Sequence, residues 1–308
     1  MPEQPKADRG GVDPKGQPFQ YSQHNVSVIP PRWRLLPIGI VYLIVMLFGH
    51  LSDHLILFPT KTPIDPGSAV RKTIAFQNGE LEMWVAQSQA ARAKGNADLY
   101  ILRFYGNGDR AEHWPMEEAG MWGQRAVEVC GVNYPGFGGS TGPARLSTIG
   151  PAALAAFDEL KRNAGKRPIL PFGTSIGTTA ALHIAAHRPV AGLILQNPPP
   201  LREMILRRFG WWNLWLLAGP IALQIPKDLD SISNARAIHV PAIFLLAEKD
   251  EVVPRRYHQL VVDAYAGDKR VIAVPGAHHN DPIEGTALGQ LSNALGWLLT
   301  QSDRAHGL

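Results

Sequence analysis

Arg167-Pro168-Ile169-Leu170-Pro171-Phe172-Gly173-Thr174-Ser175-Ile176-Gly177-Thr178 is the stretch on which the reading of this 308-residue chain turns. An apolar run meets three small residues at alternating positions, Gly173, Ser175 and Gly177, and then becomes helix-like. That order reads as strand, sharp turn, helix. A serine at such a corner is forced into a strained backbone conformation, and glycines two residues to either side are needed because side chains there clash with neighbouring elements. The hydroxyl then stands clear of the sheet. The main-chain N–H of Ile176, at the first turn of the helix, points to where a carbonyl oxygen under attack gathers negative charge.

Spacing alone does not single out Ser175. Gly138-Gly139-Ser140-Thr141-Gly142 has the same pattern, yet it lies in a glycine-rich turn and Pro143 comes next with no helix opening behind. Ser140 is therefore set aside. For Ser175 the plain alternative is a serine capping a helix, and the downstream residues decide between the two.

On either side of this corner, short β-prone runs alternate with longer helical ones after Phe58. Val70–Phe76 and Leu81–Ala86 read as a hairpin joined through Gln77-Asn78-Gly79. Further strands are expected at Ala97–Phe104, Ala126–Val132, Ile169–Phe172, Val190–Leu195, Ala242–Leu246 and Arg270–Val274. Helices are expected at Ile149–Arg162, Ile176–His187, Pro254–Tyr265 and Thr286–Leu299. Near-continuous apolar strands alternating with helices mean a mostly parallel sheet of about eight strands, covered on both faces. In such sheets reactive groups collect at the carboxyl ends of strands.

A nucleophilic serine needs a base, and the base needs a carboxylate to hold its tautomer. Asp250 falls just beyond the Ala242 strand, in Ala-Glu-Lys-Asp-Glu-Val-Val-Pro, and His278 and His279 fall just beyond the last strand, in Pro-Gly-Ala-His-His-Asn-Asp-Pro. Two adjacent loop side chains cannot both face the serine, and spacing leaves the pair undecided. After the Ala97 strand comes Tyr105-Gly106-Asn107-Gly108, whose glycines let backbone approach a ligand, so the N–H of Asn107 is expected to be the second oxyanion donor beside that of Ile176. Asn133-Tyr134-Pro135-Gly136-Phe137-Gly138-Gly139-Ser140 reads as a structural turn lining the site. His183 and His187, four apart on a helix, have metal-ligand spacing but no Glu base and no third ligand, and read as ordinary helix residues.

Composition bounds the class. Nearly half the residues are hydrophobic (45%), enough for one globular domain. The single cysteine, Cys130, excludes an intrachain disulfide and a multi-cysteine zinc site. A net charge of +4, with arginines scattered rather than interleaved with aromatics, excludes a nucleic-acid groove as a partner surface. No cofactor is implied, because neither Gly-x-x-x-x-Gly-Lys nor a dinucleotide fingerprint is present. Residues 1–32 are rich in Pro, Gly, Gln and charge and are expected to form a disordered polar tail. Leu35 to Gly49 then carries no charged side chain, with Trp33 between Arg32 and Arg34 at its entry. Residues 33–51 are expected to form a transmembrane anchor, with the arginines inside and residues 52–308 on the extracytoplasmic side.

Together Gly173-Thr-Ser-Ile-Gly, the Tyr-Gly-Asn turn, Asn133-Tyr-Pro-Gly-Phe-Gly-Gly-Ser, Glu248-Lys-Asp-Glu-Val-Val-Pro and Gly276-Ala-His-His-Asn-Asp resemble the α/β-hydrolase superfamily, and within it membrane-anchored serine hydrolases of the serine aminopeptidase-like branch. The resemblance runs from about Phe58 to the C-terminus. It implies an α/β-hydrolase fold, a catalytic histidine that precedes Asn-Asp, which is His279, and a variable cap at about 200–230. One departure is Tyr105, where the family commonly has a histidine that braces the oxyanion loop. In the cap, Trp211, Trp212 and Trp215 beside Arg207 and Arg208 either touch lipid headgroups or pack onto the domain. The expected activity is a serine hydrolase in which Ser175, His279 and Asp250 cleave an acyl ester or thioester of apolar or lipid-like character through an acyl-enzyme. The alternatives are a peptidase or amidase, an acyltransferase with the same residues, and an idle membrane-tethered binding protein.

Overall fold

Eight β-prone runs become eight strands: β1 (Val70–Phe76), β2 (Gly79–Gln87), β3 (Leu99–Phe104), β4 (Val127–Val132), β5 (Ile169–Thr174), β6 (Leu193–Gln196), β7 (Ala242–Ala247) and β8 (Lys269–Val274). They form one sheet in the order β1-β2-β4-β3-β5-β6-β7-β8. β1 and β2 pair antiparallel, as do β2 and β4, and every other pair is parallel. The computed structural model describes residues 36–48 and 50–306. Two units are separable, one ending at Ile44 and one beginning at Val45. The expected polar tail, 1–32, lies outside the described residues.

The side-chain alternation of the strands sorts the core onto two faces. Along β3, Tyr100, Leu102 and Phe104 pack with α5 (Leu146–Ala164) and α6 (Gly177–His187). Leu99 and Ile101 face the other way, toward α4 (Pro115–Met121) and α11 (Gly285–His306). β6 and β7 share a third cluster with α6, α9 (Ser231–Ala237) and α10 (Arg255–Ala264). α5 illustrates the local logic: Leu146, Ile149, Phe157 and Leu160 are buried along one stripe, each worth about 1.5–3 kcal/mol when fully buried. Arg145, at its N-cap, supplies no side-chain cap; Asp53 does, its carboxylate accepting from the Leu146 N–H at 2.8 Å.

The hairpin turn lies where it is expected. Gln77 and Asn78 form its two-residue loop, Gln77 takes the positive φ (51°), and Gly79 already pairs with Phe76. Gly79 is needed for contact rather than for the turn, because a Cβ there would lie 1.9 Å from the Thr141 hydroxyl. The expected anchor, 33–51, is described only in part, at 36–48 and 50–51. α1 (Leu36–Phe48) ends before His50, which adopts a left-handed conformation (φ 45°), and α2 (Leu51–Ile56) starts anew. At 1.5 Å per residue, α1 spans about 20 Å, against about 30 Å of bilayer hydrocarbon. Among the described residues no helix is long and apolar enough to cross a membrane. The break has a physical cause, since Asp53 caps α5 and the Ser52 N–H donates to Gln224 Oε1, which commits this stretch to the domain.

Between β6 and β7 lie α7 (Leu201–Phe209), α8 (Ala218–Leu223), a 3-10 turn (Lys227–Leu229) and α9. Short helices such as α3 (Gln89–Lys94), α4 and α8 lack the length that makes helical periodicity legible.

Candidate active site

Ser175 follows β5 directly and holds φ at 51°, a left-handed conformation that costs a non-glycine residue about 1–2 kcal/mol. Its neighbours enforce the corner. A Cβ on Gly173 would sit 2.4 Å from the Gly177 carbonyl and the Thr178 nitrogen, and a Cβ on Gly177 would sit 2.2 Å from the Phe104 carbonyl oxygen. Those contacts are with backbone and cannot relax. The Ser175 N–H donates to Gln196 O at 2.8 Å, which pins the corner to the end of β6.

Two downstream loops reach this hydroxyl. His279 Nε2 lies 2.9 Å from Ser175 Oγ, and its Nδ1 lies 2.6 Å from Asp250 Oδ2. Asp250 and His279 are both buried, and Ser175 is half-buried. The other carboxylate oxygen, Oδ1, accepts the N–H groups of Val252 (3.0 Å) and Val253 (2.7 Å). Burial acts to raise the pKa of Asp250, but the neighbouring His258 and His279 and the Val253 N–H outweigh it, so the carboxyl is held well below the usual carboxylate range. His278 turns outward and pairs its Nδ1 with Glu251 Oε2 at 3.1 Å, which leaves His279 facing the serine.

Two further residues at this end carry no sequence signature. Asn197, buried at the end of β6 with φ 51°, donates from Nδ2 to the His279 carbonyl (2.9 Å) and accepts the Ala247 N–H (2.8 Å). It ties the histidine loop to β7. His258 on α10 is fully buried, with Nε2 3.2 Å from the same Asp250 Oδ2, within ion-pair distance but outside hydrogen-bond geometry. A polar residue ending an apolar strand was the only hint of Asn197, and nothing in the spacing marked His258.

The loop after β3 comes up beside the serine. A Cβ on Gly106 would lie 3.7 Å from Ser175 Cβ. The Asn107 side chain grips the chain entering the domain, Oδ1 accepting the Phe58 N–H at 2.9 Å and Nδ2 donating to the Ile56 carbonyl. Tyr105, in the position of the family's bracing histidine, is buried and donates its hydroxyl to Glu118 Oε2 at 3.2 Å. Burial, with the Glu118 charge, pushes its phenol well above the ordinary range, so the proton stays on as donor. Glu118 also takes Arg103 Nε at 2.7 Å. Arg103 in turn donates to Phe104 O (2.9 Å) and to Thr174 Oγ1 (2.8 Å), the residues that precede the loop and the serine. One buried guanidinium thus joins both halves of the site. An arginine inside the otherwise apolar Leu99–Phe104 strand was the signal that could have exposed it.

The remaining candidates lie apart. Ser140 is buried in its turn, donating to Asn133 O and accepting the Glu82 N–H, both at 2.8 Å. That turn meets the site through Tyr134, whose hydroxyl donates to Tyr105 O at 3.3 Å. His183 and His187 stand with ring centroids 4.3 Å apart, and His187 Nδ1 contacts the His183 carbonyl. Among the described residues no three side chains could hold a metal ion. Burial pushes the Cys130 thiol well above its usual range.

A cavity of about 640 Å³ opens next to His279, lined by Tyr105, Asn107, Trp114, Phe172, Thr174 and Leu288 among others. That is room for a medium-sized organic substrate with an apolar portion.

No protein-family model matches the chain. It is 28% identical over 272 residues to an uncharacterized Mycobacterium tuberculosis protein, covering 82% of this chain and 90% of that one. It is also 28% identical over 191 residues to the lysophosphatidylserine lipase ABHD12 of Macaca fascicularis, covering 57% of this chain and 46% of that protein. Among solved structures the esterase Pf2001 of Pyrococcus furiosus superposes with a TM-score of 0.59 at 14% identity, over 80% of this chain and 97% of the other. With its eight-stranded, mostly parallel sheet and the sharp turn after β5, the chain has the α/β-hydrolase fold, and its relatives include a lipase and an esterase.

Proposed function

We propose that the chain is a serine hydrolase acting on an acyl ester or thioester. Ser175 Oγ attacks the acyl carbon while His279 Nε2 takes its proton, and Asp250 holds the Nδ1 proton and stabilises the imidazolium. The N–H groups of Asn107 and Ile176 receive the oxyanion. Collapse of the tetrahedral intermediate breaks the bond to the leaving group, which takes the proton from His279. Water, deprotonated by the same imidazole, then attacks the acyl-enzyme and releases the acid with Ser175 regenerated. The observation that carries this reading is the left-handed Ser175 with its hydroxyl 2.9 Å from an imidazole held by a buried carboxylate.

The apolar part of the cavity wall and the lipase among the relatives support an apolar or lipid-like acyl substrate. The helices between β6 and β7 serve as the cap. Membrane attachment through the apolar segment 33–51 belongs to the same proposal and rests on its composition. Arg32 and Arg34 ahead of it then leave the domain on the extracytoplasmic side, and a C-terminal reporter active in the cytoplasm would overturn that orientation. For the activity, a fluorophosphonate probe is offered to the native chain, Ser175→Ala and Ser140→Ala. Labelling lost only in Ser175→Ala is the expected result; a folded native chain that does not label sinks the proposal.

A further inference from the structure

The connection between β6 and β7 carries an apolar surface that the chemistry does not use. The inner face of α7 is buried through Leu201 and Ile205. Beyond Arg207 the chain instead presents Phe209, Trp211, Trp212, Leu214, Trp215 and Leu216 to solvent, with Trp211 70% and Leu214 73% exposed. Trp211 and Trp212 thus do not pack onto the domain, whereas Trp215 rests on α7, its Nε1 donating to Leu206 O at 3.3 Å. Leu214 and Trp215 hold φ at 49° and 61°, a conformation that bulky residues rarely adopt. Contiguous apolar surface of this kind marks a place where something else binds.

The charge around it says what. From Met204 to Lys227 there is no acidic residue, while Arg207, Arg208 and Lys227 are present. A second copy of the chain is a poor occupant. A two-fold contact through this face would set Arg207 and Arg208 against their own copies in an apolar interface with no carboxylate from the patch to compensate. An anionic phospholipid surface suits both features, since indole rings settle at headgroup level and guanidinium groups pair with phosphates. The patch also adjoins the reaction centre. Arg208 Nη1 donates to the Val252 carbonyl at 2.8 Å, and the Val252 N–H donates to Asp250 Oδ1.

We propose that Arg207–Leu217 docks onto anionic phospholipid and holds the mouth of the site at the lipid surface. The second half of that statement rests on the proposed function; the docking does not, so it is measured without turnover. Full-length Ser175→Ala chain is mixed with phosphatidylcholine vesicles, with and without phosphatidylserine, carrying bromine-labelled acyl chains that quench nearby indoles. Quenching is expected, and Trp211→Ser/Trp212→Ser should remove about half of it or more, since removing the rings removes the reporters and the anchors together. Arg207→Glu should weaken binding to the phosphatidylserine vesicles about tenfold and leave binding to neutral ones nearly unchanged. Near-ultraviolet circular dichroism of each variant checks folding. Quenching by the native patch equal to that of the double serine variant overturns the proposal, because any lipid contact then comes from elsewhere in the chain. A native dimer in sedimentation that the double variant dissolves also overturns it, and assigns the face to a second copy.

Discussion

The chain contains two Gly-x-Ser-x-Gly stretches, and the fold treats them in opposite ways. Ser140 is buried, with its hydroxyl consumed by the Glu82 N–H and the Asn133 carbonyl, so it staples a turn to β2. Ser175 is held at positive φ with its hydroxyl turned to His279. The glycines differ as well. Around Ser140, a Cβ on Gly138 would meet the Asn133 side chain at 2.3 Å and one on Gly139 would meet the Glu82 side chain at 2.5 Å. Around Ser175 the obstructing atoms are backbone of α6 and β3. Spacing is thus shared, and the element after the serine decides its use: a helix whose close approach to the sheet tightens the corner, or a turn that absorbs the hydroxyl.

The two serines should diverge most widely in rate. Ser175→Ala should cut kcat by about 10⁴- to 10⁶-fold with an unchanged melting temperature, whereas Ser140→Ala should leave the acylation step within about tenfold of native. Stopped-flow ester hydrolysis with paired thermal melts separates the two. Asp250→Asn should lower kcat by about 10⁴-fold, because the imidazole loses the partner that fixes its tautomer.

The same substitution exposes a pH dependence. The folded pKa of Asp250 is depressed, so its contribution to stability is present above the ordinary Asp value and fades as pH falls below it toward the folded value. Urea midpoints of native and Asp250→Asn should therefore lie closer together near pH 3 than at neutral pH. A constant gap would contradict the depressed value.

Next in size is the buried brace. Arg103→Met leaves Glu118 buried without its ion pair and should cost about 3–5 kcal/mol, read in chemical denaturation. Where the variant still folds, kcat should fall with little change in KM, since the loop and the serine corner lose their common tie. Tyr105→Phe removes only one hydroxyl from Glu118 and should cost about 1 kcal/mol. Ser140→Ala orphans two buried backbone groups and should cost about 1–3 kcal/mol with the chemistry retained, a loss of stability without a loss of mechanism.

Much of this was legible beforehand because it is local. Strand alternation, helix periodicity and a serine between glycines are properties of neighbouring residues, and all eight strands appear near the expected positions. The small helices escaped because they are shorter than the period that would reveal them. The hairpin turn falls within the expected Gln77-Asn78-Gly79, but the reason for glycine at 79 was not local, because the Thr141 side chain, far away in sequence, demands it for clearance. Beyond the apolar segment, Asp53 caps α5, 93 residues further on, a contact that no local pattern announces.

The linear order of residues dictates the alternation of strands and helices, the sharp corner at Ser175 and a short roster of residues able to partner it. Which of them meet is settled only when the sheet assembles. His279 faces Ser175 across 104 residues of chain, His278 turns to Glu251, and Glu118 on α4 supplies the brace that Tyr105 lacks in sequence. The same assembly leaves the tryptophans of the cap connection outside the core. Backbone preference acts over a few residues, whereas partner choice and burial depend on which strand ends and helix faces the sheet brings together.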